Sequence, residues 1–314
     1  MTAKSSPSHA TIDALRTPDE RFADLPDWNY PPNYIDDLPG YEGLRVHYVD
    51  VGPKDAGLKD VGHTILCLHG EPTWAYLYRK MIPVFVEAGH RVIAPDWLGF
   101  GRSDKPVNDD VYGFHFHRTM MLRFVEALDL TSITLVVQDW GGLLGLTLPQ
   151  DMPERFARLL IMNTALAVGK TPGAGFLAWK AYAASQPDMD VGKLIARGTP
   201  VIGDAEIAAY NAPYPDIRYK AGVRRFPEMV MVEPGMEGIE TSKTAIEFWR
   251  ERWGGKSYMA VGGADPVLGL DTMQAMRGII RNCPEPMVLP EAGHFVQEWG
   301  GEVARAALKA FNGA

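Results

Sequence analysis

Short apolar runs recur along the chain, each closed by a glycine, an acid or a polar turn. They are HTILCLHG (63–70), HRVIAPD (90–96), SITLVVQD (132–139), ARLLIMN (157–163), SYMAVGGAD (257–265) and PMVLPEAGH (286–294). A continuous apolar run of this kind suits a strand buried on both faces. LRVHYVDVG (44–52) alternates instead and reads as a half-buried strand. Between the runs the period changes to that of a helix. Leu77, Met81, Val84 and Phe85 share a face over 76–88, and 116–128 looks helical with Met120, Met121, Phe124, Val125 and Leu128 among its apolar residues. Further helices are expected from about Gly142, over 242–253 with Ser242 as N-cap, over 271–281, and from about Glu298. Strands alternating with helices specify an α/β fold with a parallel sheet and helices on both faces.

The rhythm breaks once. From Leu166 to Thr241 the chain is rich in Gly, Pro and Tyr, with several short helical stretches and no clear strand. The economical division is an N-terminal extension (1–40), a core (41–165 and 242–314) and an inserted helical cap (166–241), with the first ~15 residues loosely ordered. With 314 residues and 46% hydrophobic content the chain can bury a substantial core. A net charge of −8, without any Lys/Arg block, argues against nucleic acid and anionic membranes and suits a neutral small molecule. Cys67 lies in an apolar run and Cys283 is its only companion, so no disulfide framework is expected. The polar N-terminus lacks the apolar segment of a secretory signal and no run is fit to span a bilayer, so a cytoplasmic location is expected.

The stretch TLVVQDWGG places Asp139 at an abrupt strand end before two glycines. Aspartate there could simply cap a helix. Asp265, in GGADPVLG, could be a turn aspartate, and His294, in EAGHF, a structural histidine. All three follow predicted strands, at the end of a parallel sheet where sites form. Their order, Asp139, Asp265, His294, is that of nucleophile, acid and histidine in a hydrolase triad. Phe114-His115-Phe116-His117 has metal-like spacing but no third ligand, so no metal site is expected. Gly99-Phe100-Gly101 alone is no dinucleotide fingerprint, and no cofactor is expected.

Over nearly its whole length the sequence resembles the α/β-hydrolase superfamily. LCLHGEPTW (66–74) is similar to its oxyanion loop and APDWLGFGRSDKP (94–106) to its next βα turn. Within the superfamily, HGEPTW, VVQDWGG, FLAWK (176–180) and EAGHFVQE (291–298) resemble hydrolytic haloalkane dehalogenases, in the branch whose catalytic acid follows the strand before the histidine loop. The resemblance implies a mostly parallel eight-stranded sheet with a helical cap, and Asp139, Asp265 and His294 as the triad. It implies the backbone N–H groups of Glu71 and Trp140 as oxyanion donors, and Trp140 and Trp179 as the halide-binding pair. A pocket lined by Leu143, Phe176, Phe226, Pro227, Val230, Val267 and Leu268 follows, with leucine at 143 where this branch often has an aromatic. Asn163 stands where other branches carry the acid and cannot serve as one, which favours Asp265. The implied partners are a small neutral halogenated substrate and halide product, and the implied assembly is a monomer.

Two alternatives stay open. DWGG also fits epoxide hydrolases, whose leaving alkoxide needs an acid; Tyr182, Tyr210, Tyr214 and Tyr219 lie in the cap. FLAWK, and glutamate in HGEP where those enzymes usually carry an aromatic, favour the halide. A catalytically silent binding protein is the other alternative, against which the intact triad argues.

Overall fold

The computed structural model describes residues 12–55, 62–170 and 173–313. Its centre is an eight-stranded sheet in the order β10-β9-β8-β7-β4-β5-β3-β2. The strands are β2 (Asn33–Ile35), β3 (Val46–Val51), β4 (Thr64–Leu68), β5 (Arg91–Pro95), β7 (Ile133–Val137), β8 (Phe156–Met162), β9 (Lys256–Gly262) and β10 (Met287–Leu289). Pairings from β5 across to β10 are parallel; β3 and β2 join antiparallel at one edge. Every residue of β4 and β7 is buried, as their unbroken β-branched and apolar sequences require. Helices α1 (Ile82–Glu87), α2 (Phe114–Ala127), α3 (Trp140–Gly145), α8 (Ile239–Glu247), α9 (Leu270–Ile279) and α10 (Gly300–Asn312) accompany the sheet. Between β8 and α8 the chain forms α4 (Ala174–Ser185), α5 (Val191–Arg197), α6 (Asp204–Asn211) and α7 (Ala221–Met229).

Several local expectations are corrected. Asn33–Ile35, in the stretch expected to be an extension, supplies the edge strand β2. Of the loosely ordered start, residues 1–11 lie outside the described residues, while Ala14–Leu15 form β1, paired with β6 (Lys105–Pro106). The strand expected to be half-buried is buried at Val46–Val49, because His47 bonds Asp96 on one face and Tyr48 packs on Phe124 on the other. The helix expected over 76–88 is a 3-10 turn at Ala75–Tyr78 followed by α1, which starts beside Pro83, where the missing N–H costs nothing. Ser242 is no cap. Helix α8 starts at Ile239 after Gly238, whose φ of +94° favours glycine, and Ser242 is buried inside it. Only Met287–Leu289 of 286–294 is strand; the rest is the turn that carries His294.

Strand β4 has β5, the next of the sheet's strands in the chain, on one side and β7, to which the chain crosses back, on the other, so a crevice opens at the carboxyl ends of β4 and β7. The segment holding α4–α7 is tied to the core by buried polar bonds. Arg79 makes a two-pronged ion pair with Glu298 at 2.7 Å, and Tyr210 of α6 bonds the same carboxylate. Trp74 Nε1 donates to Ala209 O at 3.2 Å and Tyr214 Oη to Pro72 O at 3.2 Å. Among the described residues no helix is long and apolar enough to cross a membrane.

Candidate active site

Asp139 sits between β7 and α3 with φ +50° and ψ −126°, a conformation of order 1–3 kcal/mol above the ordinary regions for a non-glycine residue. Its surroundings enforce it. Asp139 N donates to Asn163 O at 3.0 Å and Thr164 Oγ1 donates to Asp139 O at 2.6 Å. A side chain at Gly141 would collide with Leu68 O, and one at Gly142 with Thr164, so the two glycines of DWGG let the turn press against its neighbours. The Asp139 side chain makes no cap bond to α3. Instead Oδ1 accepts the Glu71 N–H at 2.7 Å, so the helix-cap alternative fails.

His294 stands on the other side of the carboxylate. Its Nε2 is 3.5 Å from Asp139 Oδ2, and its Nδ1 is 2.7 Å from Asp265 Oδ2. Asp265 also receives Asn163 Nδ2 at 2.9 Å and the N–H groups of Val267 at 2.8 Å and Leu268 at 3.1 Å. Burial works against the Asp265 charge, but His294 and these donors outweigh it and hold the carboxyl below its usual range. Burial likewise opposes a charged His294; Asp265 and Asp139 overcome it and raise the imidazole to about 10. The carboxylates on either side of the ring thus favour its charged form.

Sequence reasoning placed Asp139, Asp265 and His294 together, and the fold brings all three to one point. It missed Gln138, whose Nε2 lies 2.8 Å from His294 Nε2 and donates to His294 O at 3.1 Å. The available signal was a lone polar residue ending an apolar run. It also missed the supporting role of Asn163, which was considered only as an acid.

The three groups face a cavity of about 900 Å³. Glu71, Trp140, Leu143, Phe176, Trp179, Pro227, Val230, Val267 and Leu268 are among the residues that line it. Phe226 does not. It is fully buried behind the wall, with its ring 4.7 Å from Trp140, 4.7 Å from Phe100 and 4.8 Å from His117. Of the four cap tyrosines only Tyr182 lines the cavity; Tyr210 and Tyr214 are spent on Glu298 and Pro72, and Tyr219 lies in the turn before α7. The indoles of Trp74, Trp97, Trp249 and Trp253 donate to protein oxygens. Those of Trp140 and Trp179 meet no acceptor among the described residues, although Trp140 is only 3% exposed. Two free N–H donors without an acceptor of their own, in a largely apolar chamber, suit an anion. His117 points both ring nitrogens at backbone carbonyls, Gly113 O at 3.0 Å and Leu98 O at 3.1 Å. No group of three metal-ligating side chains occurs among the described residues.

A model of the alpha/beta hydrolase fold matches residues 63–301. A haloalkane dehalogenase from Psychrobacter cryohalolentis is 44% identical over 306 residues, covering 95% of this chain and 97% of the relative. One from Mycolicibacterium paratuberculosis is 40% identical over 300 residues, covering 94% and 97%. The solved haloalkane dehalogenase DpaA from Paraglaciecola agarilytica, described as tetrameric, superimposes with a TM-score of 0.93 at 50% identity, covering 96% of this chain and 100% of that one. The chain therefore belongs to the haloalkane dehalogenase family of α/β-hydrolase-fold proteins.

Proposed function

We propose that the protein hydrolyses carbon–halogen bonds in small haloalkanes through an alkyl ester on Asp139. The observation that carries this reading is the pairing of an ionisable carboxylate with two indole N–H donors that lack protein acceptors, in one cavity. A carboxylate is ionised at neutral pH, with an unperturbed pKa of about 3.9, and needs no base to attack a saturated carbon. A serine would leave an ether there, which water does not open; aspartate leaves an ester, which water does.

In the first step an Asp139 oxygen forms a bond to the halogen-bearing carbon as the carbon–halogen bond breaks. The halide departs as an anion and needs no proton, and Trp140 and Trp179 receive it. Alkylation discharges Asp139, which removes one of the charges that holds His294 protonated. His294, once neutral, takes a proton from water as its oxygen attacks the Asp139 carbonyl. Asp265 orients the ring and stabilises the imidazolium. The N–H groups of Glu71 and Trp140 hold the oxyanion, and the Glu71 N–H bond to Asp139 Oδ1 supports that assignment. The alkyl–oxygen side of the ester breaks from the carbonyl, and the alcohol takes its proton from His294.

Incubation with 1,2-dibromoethane and, separately, styrene oxide tests the reading. Bromide without diol is expected. Diol without bromide would favour the epoxide reading, for which Tyr182 is the cap tyrosine lining the cavity. Bromide from no short haloalkane would sink the proposal. We place the reaction in the cytoplasm. We take a tetramer rather than the expected monomer as the working assembly, on the strength of the Paraglaciecola relative, and light scattering decides between them.

A further inference from the structure

Gln138 follows β7 and precedes the Asp139 turn, and it is fully buried. Its Nε2 donates to His294 O at 3.1 Å. A backbone carbonyl only accepts, so the atom that faces it is the amide nitrogen. Turned the other way, the amide would set its oxygen against that carbonyl. Gln297 Nε2 approaches Gln138 Oε1 at 3.5 Å, which agrees with the same orientation. The second hydrogen of the Gln138 nitrogen is then left for His294 Nε2, 2.8 Å away. A neutral imidazole with its proton on Nδ1, toward Asp265, presents a lone pair at Nε2 and accepts that bond. An imidazolium presents an N–H there, and two donors would meet.

The charged groups around the ring act in the other direction. Asp265, after β9, and Asp139, after β7, favour the imidazolium. Glu71, after β4, also faces the ring, but burial and then Asp139 hold its carboxyl well above the ordinary range. Lys170 and Arg197 from the cap and Glu291 from the turn before His294 line the same cavity. Gln138 is the group that sets an uncharged donor against Nε2.

We propose that Gln138 is a positioning residue for the hydrolytic step: its amide clamps the His294 turn and favours the form of the ring whose Nε2 is free to take a proton. The inference rests on the covalent reading above. While the ester stands, Asp139 carries no charge and no longer works against Gln138. Water gives a proton to Nε2 as its oxygen bonds to the carbonyl carbon of the ester. The Gln138 bond to Nε2 gives way to that proton, while its bond to His294 O keeps the ring in place. The proton passes to the departing alkoxide, and the restored Asp139 carboxyl releases its remaining proton to solvent. Alkylation uses an ionised Asp139 and no base, so Gln138 takes no part in it.

The test follows both steps across a series of pH values. Rapid mixing with 1,2-dibromoethane gives the bromide burst, and mass spectrometry of the quenched protein gives the rate of ester loss. Gln138→Met keeps the length of the side chain and removes both donors. It should leave the burst within about threefold and raise the midpoint of the acid limb of ester loss by about one pH unit, a tenfold change in the protonation equilibrium. A merely structural defect would slow ester loss at every pH and leave the midpoint in place. Nitrogen-15 NMR of the His294 ring in the unsubstituted enzyme gives a second readout, which stands even if the methionine variant does not fold. In the neutral ring the proton should sit on Nδ1, and Nε2 should carry the shift of a nitrogen that accepts a hydrogen bond. An unmoved or lowered midpoint, or equal slowing of both steps, would overturn the proposal. So would a neutral ring with its proton on Nε2, or with Nε2 free of any hydrogen bond. No burst from the unsubstituted enzyme would bring down the dehalogenase reading and this proposal with it. A normal burst with any of the other failures would bring down this proposal alone.

Discussion

The floor and the roof of the cavity are built on different principles. The floor is the carboxyl end of the sheet, and almost every polar group there is fixed by another. Asp265 receives donors from Asn163, Val267, Leu268 and His294, and Asp139 is held through its N, its O and its Oδ1. The roof is short helices. Helix α4, which carries Phe176 and Trp179, has a single buried residue, Ala183, and neither indole nor ring there makes a directional bond. A strained nucleophile needs a floor that over-determines its position. A wall that admits a substrate and lets go of a halide is better drawn from elements with few fixed contacts. The contrast separates a floor that fixes Asp139, Asp265 and His294 from a roof whose Phe176 and Trp179 are held by few contacts.

The largest effect expected is at the floor. Asp139→Ala should lower bromide release at least about 10⁴-fold with the fold retained. Residual turnover above a hundredth of wild type would mean the floor does not supply the nucleophile.

Next comes the joint between the regions. Glu298→Ala leaves Arg79 buried and unpaired and should cost about 3–5 kcal/mol in chemical denaturation. A loss under about 1 kcal/mol would show that the buried cluster of Arg79, Glu298 and Tyr210, through which α6 meets the floor, adds little to stability.

The support beneath the floor has a pH signature. His117 is fully buried behind Phe226, and burial outweighs its two carbonyl neighbours to lower its pKa from 6.5 to about 4. The unfolded chain therefore binds a proton that the folded one refuses between those values. Stability from this group is complete above pH 6.5 and is lost as pH falls toward 4, by about 2–3 kcal/mol. His117→Gln should flatten that part of the urea midpoint against pH, and an unchanged slope would remove His117 as its source.

The smallest effect belongs to the roof. Trp179→Phe removes an N–H without touching a buried contact. It should weaken bromide binding about tenfold, read by quenching of the remaining tryptophans, and shift stability by no more than about 0.5 kcal/mol. Unchanged quenching would take Trp179 out of the halide site.

The same contrast decides what the sequence could reveal. Floor residues follow short, unbroken apolar runs that stand out as buried strands, so Asp139, Asp265 and His294 were legible together. The three-residue strand β2 was not, because NYI has too little pattern to stand out and is fixed by pairing with β3. In the roof, AGFLAWKAYAAS is apolar on nearly every side, so no face of α4 can be chosen from its period. The resemblance found Trp179 where periodicity could not. The error at Phe226 has a like cause. Its neighbour Pro227 does line the cavity, and the difference of one residue on α7 turns on the rotation of that helix, which packing against Phe100, His117 and Trp140 sets.

The central claim is that the floor forms an ester on Asp139 and that His294 serves only to open it. Mass spectrometry of His294→Gln after exposure to 1,2-dibromoethane tests this most directly. The account predicts a stable mass increase of one bromoethyl group per chain, confined to the peptide containing Asp139, with one equivalent of bromide released and no turnover beyond it. An unmodified variant after prolonged exposure, or steady bromide release at the wild-type rate, would contradict it.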